Sequence, residues 1–154
     1  MKKFACVTLC VSLIALSLPG FVYAMGSEIT PDANQADANF VAGKDAIKSD
    51  GWQAAVDAFS KALKADPENA DIHNYLGYAY RHLGQMENAF SHYDSALRIN
   101  PNHRGAHAYL GQAYLRVGKP DKAAEQLASL EKICGKSCDE YQDLARGIAA
   151  YQPK

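Results

Sequence analysis

Apolar positions recur at helical spacing along most of the chain, and they recur in blocks. Phe40, Gly43 and Ile47 fall at i, i+3 and i+7, one face of a helix that begins near Ala36. Asp50-Gly51 breaks it. A second helix, Trp52 to Ala65, carries the stripe Ala55, Val56, Phe59, Ala62 and Leu63. It ends at Asp66-Pro67, because the residue before a proline is pushed out of the helical region. The next block copies the first. Ala70 to Leu83 is apolar at Ile72, Tyr75, Leu76, Tyr78, Ala79 and Tyr80, and Gly84 ends it. Gln85 to Ile99 follows with Ala89, Phe90, Tyr93, Ala96 and Leu97. A third block runs Arg104 to Val117, turns at Gly118-Lys119 and restarts at Pro120, a residue suited to a first helical turn.

The blocks share a fixed step of thirty-four residues. Gly43, Gly77 and Gly111 are in register, as are Ala55, Ala89 and Ala123, Phe59 and Tyr93, Ala62 and Ala96, and Pro67 and Pro101. Two short helices cannot bury their own apolar stripes, so each unit must stack on the next. Each glycine is expected where the second helix of its pair crosses, with the alanine facing it, and the aromatics filling wider gaps.

After the third block the pattern changes. Gly135 is expected to end the helix in a left-handed cap. Ser137 and Glu140 have capping-box spacing and predict a last helix with Tyr141, Leu144, Ala145, Ile148 and Tyr151 on one face. Asp139, Gln142, Asp143 and Arg146 lie mostly on the other, as suits a lid over the final repeat.

The start of the chain belongs to a different class. Lys2 and Lys3 precede an apolar run from Phe4 to Leu18, and Val22-Tyr23-Ala24 puts small residues where a signal peptidase reads. This predicts a secretory signal peptide over 1–24, cut after Ala24, with no stable membrane span afterwards; an uncleaved anchor is the alternative. Cleavage removes two lysines and no acid, taking the formal charge from −1 to −3. Residues 25–35 are polar and read as a flexible leader. Three repeats then occupy 36–69, 70–103 and 104–135, with the capping helix and tail at 136–154. No basic excess points to nucleic acid.

The pattern Leu76-Gly77…Tyr80…Ala89…Tyr93…Ala96…Pro101 resembles the tetratricopeptide repeat, with two further copies centred on Gly43 and Gly111. The chain departs from the motif in its third copy, where Leu127 and Leu130 replace an aromatic and an alanine. Asn39, His73 and His107 replace the early tryptophan. The resemblance implies an all-α, right-handed solenoid of three helix-turn-helix units, to which the last helix adds a cap. The ending Cys134-Gly135-Lys136-Ser137-Cys138 is similar to that of small exported bacterial repeat proteins and implies a periplasmic or secreted location.

The resemblance also implies a function, non-catalytic protein binding through the groove lined by the first helix of each pair. By the family's register the contact residues are Phe40, Lys44 and Lys48 in the first repeat. They are Asn74, Tyr78, Arg81 and His82 in the second, and Ala108, Gln112 and Arg116 in the third. This set suits an extended peptide of an envelope partner, the amides binding its backbone and the cations favouring acidic side chains or a terminal carboxylate. The family's clamp for a chaperone tail is missing: its five places hold Phe40, Lys44, Tyr75, Gly105 and Tyr109.

Signal cleavage leaves Cys134 and Cys138 as the mature cysteines, in a compartment where disulfides persist. They read as a staple before the lid. The alternative is a thiol-redox pair, with Cys138 at a helix N-terminus, although three residues separate the two rather than two. His103 and His107 are four apart, but the repeat position explains His107, so no metal is assigned. Phosphate loops, nucleophile elbows and His-Glu-x-x-His are absent from the sequence, so neither an enzyme nor a cofactor is expected. A third reading is a structural adaptor that self-associates weakly through its stacking faces.

Overall fold

The computed structural model describes residues 33–153, with side chains from Asp37 onward. The predicted signal peptide and most of the leader lie outside the described residues. Seven helices follow one another: α1 (Ala33–Lys48), α2 (Trp52–Ala65), α3 (Ala70–His82), α4 (Met86–Ile99), α5 (Arg104–Arg116), α6 (Pro120–Cys134) and α7 (Asp139–Ala149). There is no strand among the described residues. Helix α1 starts at Ala33, three residues ahead of the expected Ala36, so the end of the expected leader is helical.

The helices pack as pairs, α1 with α2, α3 with α4 and α5 with α6. Each pair docks on the next through α2–α3, α4–α5 and α6–α7. First helices also meet across the repeats, α1 with α3, α3 with α5 and α5 with α7. Helix α7 therefore takes the place a fourth first helix would occupy, and α1, α3, α5 and α7 line one face.

The turns inside the pairs carry the backbone strain of the repeat. Gly84 and Gly118 close α3 and α5 at φ +78° and +75°, where a side chain is disfavoured. The residue in register with them is Asp50, which takes φ +56°. The first repeat thus holds a non-glycine residue in left-handed geometry. Asp tolerates this better than most residues do.

The glycines that mark the repeat have a different partner from the one expected. A Cβ built on Gly43 would lie 2.6 Å from the ring of Phe59, and one on Gly77 would lie 2.6 Å from that of Tyr93. Glycine here makes room for an aromatic ring of the second helix rather than for the alanine. The alanines Ala55, Ala89 and Ala123 are fully buried in their own right. In the third repeat the ring position holds Leu127, and the side chain over Gly111 is Leu144 of α7, 2.5 Å from a built Cβ. Leu144 is completely buried with Leu130 and Ala108. The shorter residue on α6 leaves a gap, and the lid fills it.

The start of α7 also differs from expectation. The N-cap is Cys138, which makes no side-chain cap bond, so Ser137 and Glu140 form no capping box. Glu140 points to Arg104 instead, at 3.6 Å. Gly135 ends α6 at φ +75°, but its ψ of 177° lies outside the left-handed helical region expected for it.

Candidate functional site

The first helices of the second and third repeats, α3 and α5, are each anchored at the N-terminus by a side chain that also lines the groove. Asn69 caps α3, its Oδ1 accepting from the Ile72 N–H at 3.2 Å. The residue in register is His103, whose Nδ1 accepts from the Ala106 N–H at 3.2 Å. With Nδ1 an acceptor, Nε2 is the donor, and it reaches Asp71 Oδ1 at 3.0 Å. One imidazole therefore caps α5 and ties it to the first turn of α3.

His73 and His107, at the position of the missing tryptophan, form matching brackets. The Nε2–H of His73 donates to the Pro67 carbonyl at 3.2 Å, and that of His107 to the Pro101 carbonyl at 2.9 Å. Each Nδ1 faces the second helix of its pair. His92 Nδ1 lies 3.0 Å from that of His73, and the Gln126 amide lies 2.7 Å from that of His107. His92 and Gln126 are themselves thirty-four residues apart. His103 and His107 thus direct their nitrogens to separate partners.

Between the anchored ends lies an open cavity of about 810 Å³, bounded by α3, α5, α7 and the two inter-repeat loops. Three of the expected contact residues meet in it: Asn74, Ala108 and Gln112. Asn74 is 4% exposed, and its Oδ1 is buried without a hydrogen-bond partner among the described residues. Gly105 stands next to it; a Cβ there would come within 3.3 Å of Asn74 Nδ2. Tyr75 and Tyr109 add aromatic wall.

The other expected residues lie elsewhere. Phe40 packs edge-on against Phe59 and Tyr75, with centroids 5.7 and 5.6 Å away, so much of it is core. Lys44 holds its ammonium over that pair, 5.7 Å from Phe40 and 6.0 Å from Tyr75. Lys48 pairs with Asp45 on the helix surface at 2.8 Å. Tyr78, Arg81 and His82 form an aromatic–basic patch with Trp52, which stacks on His82 at 3.9 Å. Burial, then the charges of Arg81 and Arg116, lower the pKa of His82, which places Arg116 near that patch.

Sequence reasoning missed the acidic side of the cavity. Asp139 and Asp143 were expected on the outer face of the lid, yet both line the opening, together with Asp71 of α3. The available signal was the step itself: one step on from Gly105 and Tyr109 are Asp139 and Asp143, so α7 continues the row of first helices.

Two family models, each described as tetratricopeptide repeat, match residues 40–104 and 81–147. The chain belongs to the tetratricopeptide repeat family. A search among curated proteins finds none that matches. Among solved structures, the chain is similar to the first such domain of Spaghetti (RPAP3) bound to an HSP90 peptide, at 22% identity and a TM-score of 0.69. That match covers 79% of this chain and 95% of the other. It is similar to the TPR domain of Arabidopsis OM64, at 17% identity and a TM-score of 0.70, covering 78% and 98%. It is also similar to the TPR2B domain of yeast Sti1 in complex with an Hsp70 peptide, at 21% identity and a TM-score of 0.69, covering 77% and 99%. At these identities the likeness is one of fold. The tetratricopeptide units here are the three helix pairs, and their shared face carries the cavity.

Proposed function

We propose that this protein is a non-catalytic interaction scaffold whose groove docks an extended segment of a partner protein. The observation that carries the reading is the cavity on the first-helix face, with the Asn74 Oδ1 buried and without a hydrogen-bond partner among the described residues. A polar group left unpaired in a buried position costs free energy, which a bound backbone would recover. The solved neighbours named in complexes hold chaperone peptides, and the same kind of ligand, a peptide segment, suits this groove. Rigid stacking of the pairs lowers the ordering cost of binding.

The proposed setting is the bacterial periplasm or the exterior, after cleavage behind Ala24, with an envelope protein as partner. No helix among the described residues is long and apolar enough to cross a membrane. Cys134 and Cys138 have Cα atoms 5.9 Å apart, within the range of a disulfide, and in this reading they are bonded as a staple between α6 and the lid. The test is affinity capture from the native envelope with two variants. Gln112→Arg fills the cavity mouth, and Lys61→Glu alters exposed α2. Capture lost in the first and kept in the second supports the reading; equal capture by both refutes it.

A further inference from the structure

The cavity carries a charge asymmetry opposite to that expected from the groove's cations. Six carboxylates line it: Asp66, Glu68, Asp71, Asp139, Glu140 and Asp143. Arg104 is the one lysine or arginine among its lining residues. The cations do little to neutralise this set. Arg104 reaches half-buried Glu140 at 3.6 Å, Arg98 reaches Glu68 at 3.8 Å in an exposed pair, and Asp71 accepts from the His103 imidazole at 3.0 Å. Asp143 pairs with Arg146 one turn along the same helix. Asp139 has no cationic partner among the described residues.

Helix dipoles explain part of this arrangement, since Asp71, Asp139 and Glu140 sit in first turns. They do not explain Asp66 and Glu68, which lie in the loop between α2 and α3, or Asp143, a full turn inside α7. Nor do they explain the independent mark of a ligand, the Asn74 Oδ1 buried without a partner. Gly105 adds to that mark, because any side chain there would press on the amide.

We propose that the cavity recognises a basic segment of the partner protein. A lysine or arginine side chain enters among the carboxylates of α3 and α7. A backbone N–H of the segment donates to Asn74 Oδ1. Asp71 and Asp139 act across the opening, and Gln112 lies beside the path. This deepens the groove reading and rests on it. An acidic tail such as the one held in the similar solved complex would meet carboxylates here.

The test uses the purified mature chain, isotope-labelled for NMR, and two short peptides blocked at both ends, one alternating lysine with glycine and one glutamate with glycine. The lysine peptide is expected to shift the side-chain amide signals of Asn74 and Gln112, and the glutamate peptide to leave them in place. The double variant Asp71→Asn, Asp139→Asn keeps the oxygen acceptors and is expected to bind the lysine peptide about tenfold or more weakly. Gln112→Glu, which adds a carboxylate, is expected to bind it more tightly. The proposal is overturned if the glutamate peptide shifts Asn74, if neither peptide does, or if the double variant binds the lysine peptide as well as the parent. If one of these occurs while Gln112→Arg still loses envelope capture, the groove stands and only its charge preference falls.

Discussion

His92→Gln isolates a weak point of the second repeat that the third repeat lacks. His92 faces His73 at 3.0 Å and stacks on Tyr80, with centroids 5.4 Å apart. Burial, and secondarily the neighbouring His73, lowers the His92 pKa from 6.5 to about 4. A protein that holds a histidine this way binds fewer protons when folded than when unfolded. Its stability is therefore complete above about pH 6.5 and is lost as pH falls from there towards about 4. At about 1.36 kcal/mol per unit, that shift has a ceiling of about 3.4 kcal/mol. His92 is partly open to water, which screens the penalty, so about 1–2 kcal/mol is expected. Gln126 occupies the same position one repeat later and serves His107 without titrating. Urea melts of parent and His92→Gln across this window should nearly coincide at neutral pH and separate at acid pH, the variant being the more stable. His82 is present in both proteins, so its contribution cancels in the difference. Equal loss of stability in both proteins would refute the reasoning.

Three further substitutions test the packing. Gly77→Ala would drive a methyl into the ring of buried Tyr93 and should cost about 1–3 kcal/mol by thermal or chemical melt. Asp50→Gly should stabilise by about 0.5 kcal/mol or more, because Asp50 alone among the three turns bears a side chain at positive φ. Leu144→Ala should cost about 2–5 kcal/mol, and hydrogen exchange should rise in α5 as well as α7, since Leu144 covers Gly111. The proposed Cys134–Cys138 staple predicts that reduction lowers stability by about 2 kcal/mol at most. A thiol that re-forms its bond readily and reacts fast at neutral pH would favour the redox alternative instead.

Much of the scaffold was legible because the thirty-four-residue step repeats both packing and punctuation. Helices α2 to α6 end within a residue or so of where glycine, proline and the apolar stripes place them. The partners of the repeated residues were less legible. Gly43 and Gly77 admit rings sixteen residues later, and Gly111 admits Leu144 from another helix, a change that only the missing volume at Leu127 hinted at. The capping box failed because helix α7 starts at Asp139, with Cys138 as its N-cap, leaving Ser137 outside the helix.

The candidate site divides in the same way. Asn74, Ala108 and Gln112 followed from the repeat register and do converge. Tyr78, Arg81 and His82 share one helix with Asn74 but lie in a patch with Trp52 of α2, which no spacing in the sequence assigns to them. The carboxylates of the lid read as solvated because α7 looks like an end. In the fold it is both an end and the fourth wall of the groove.

The most direct test of the groove is site-specific photocrosslinking in the native envelope. A photoreactive amino acid replaces Gln112 in the cavity or, separately, Lys61 on α2. A discrete crosslinked partner from position 112 and none from position 61 is the predicted result. A partner captured from position 61 and not from 112 would contradict the account.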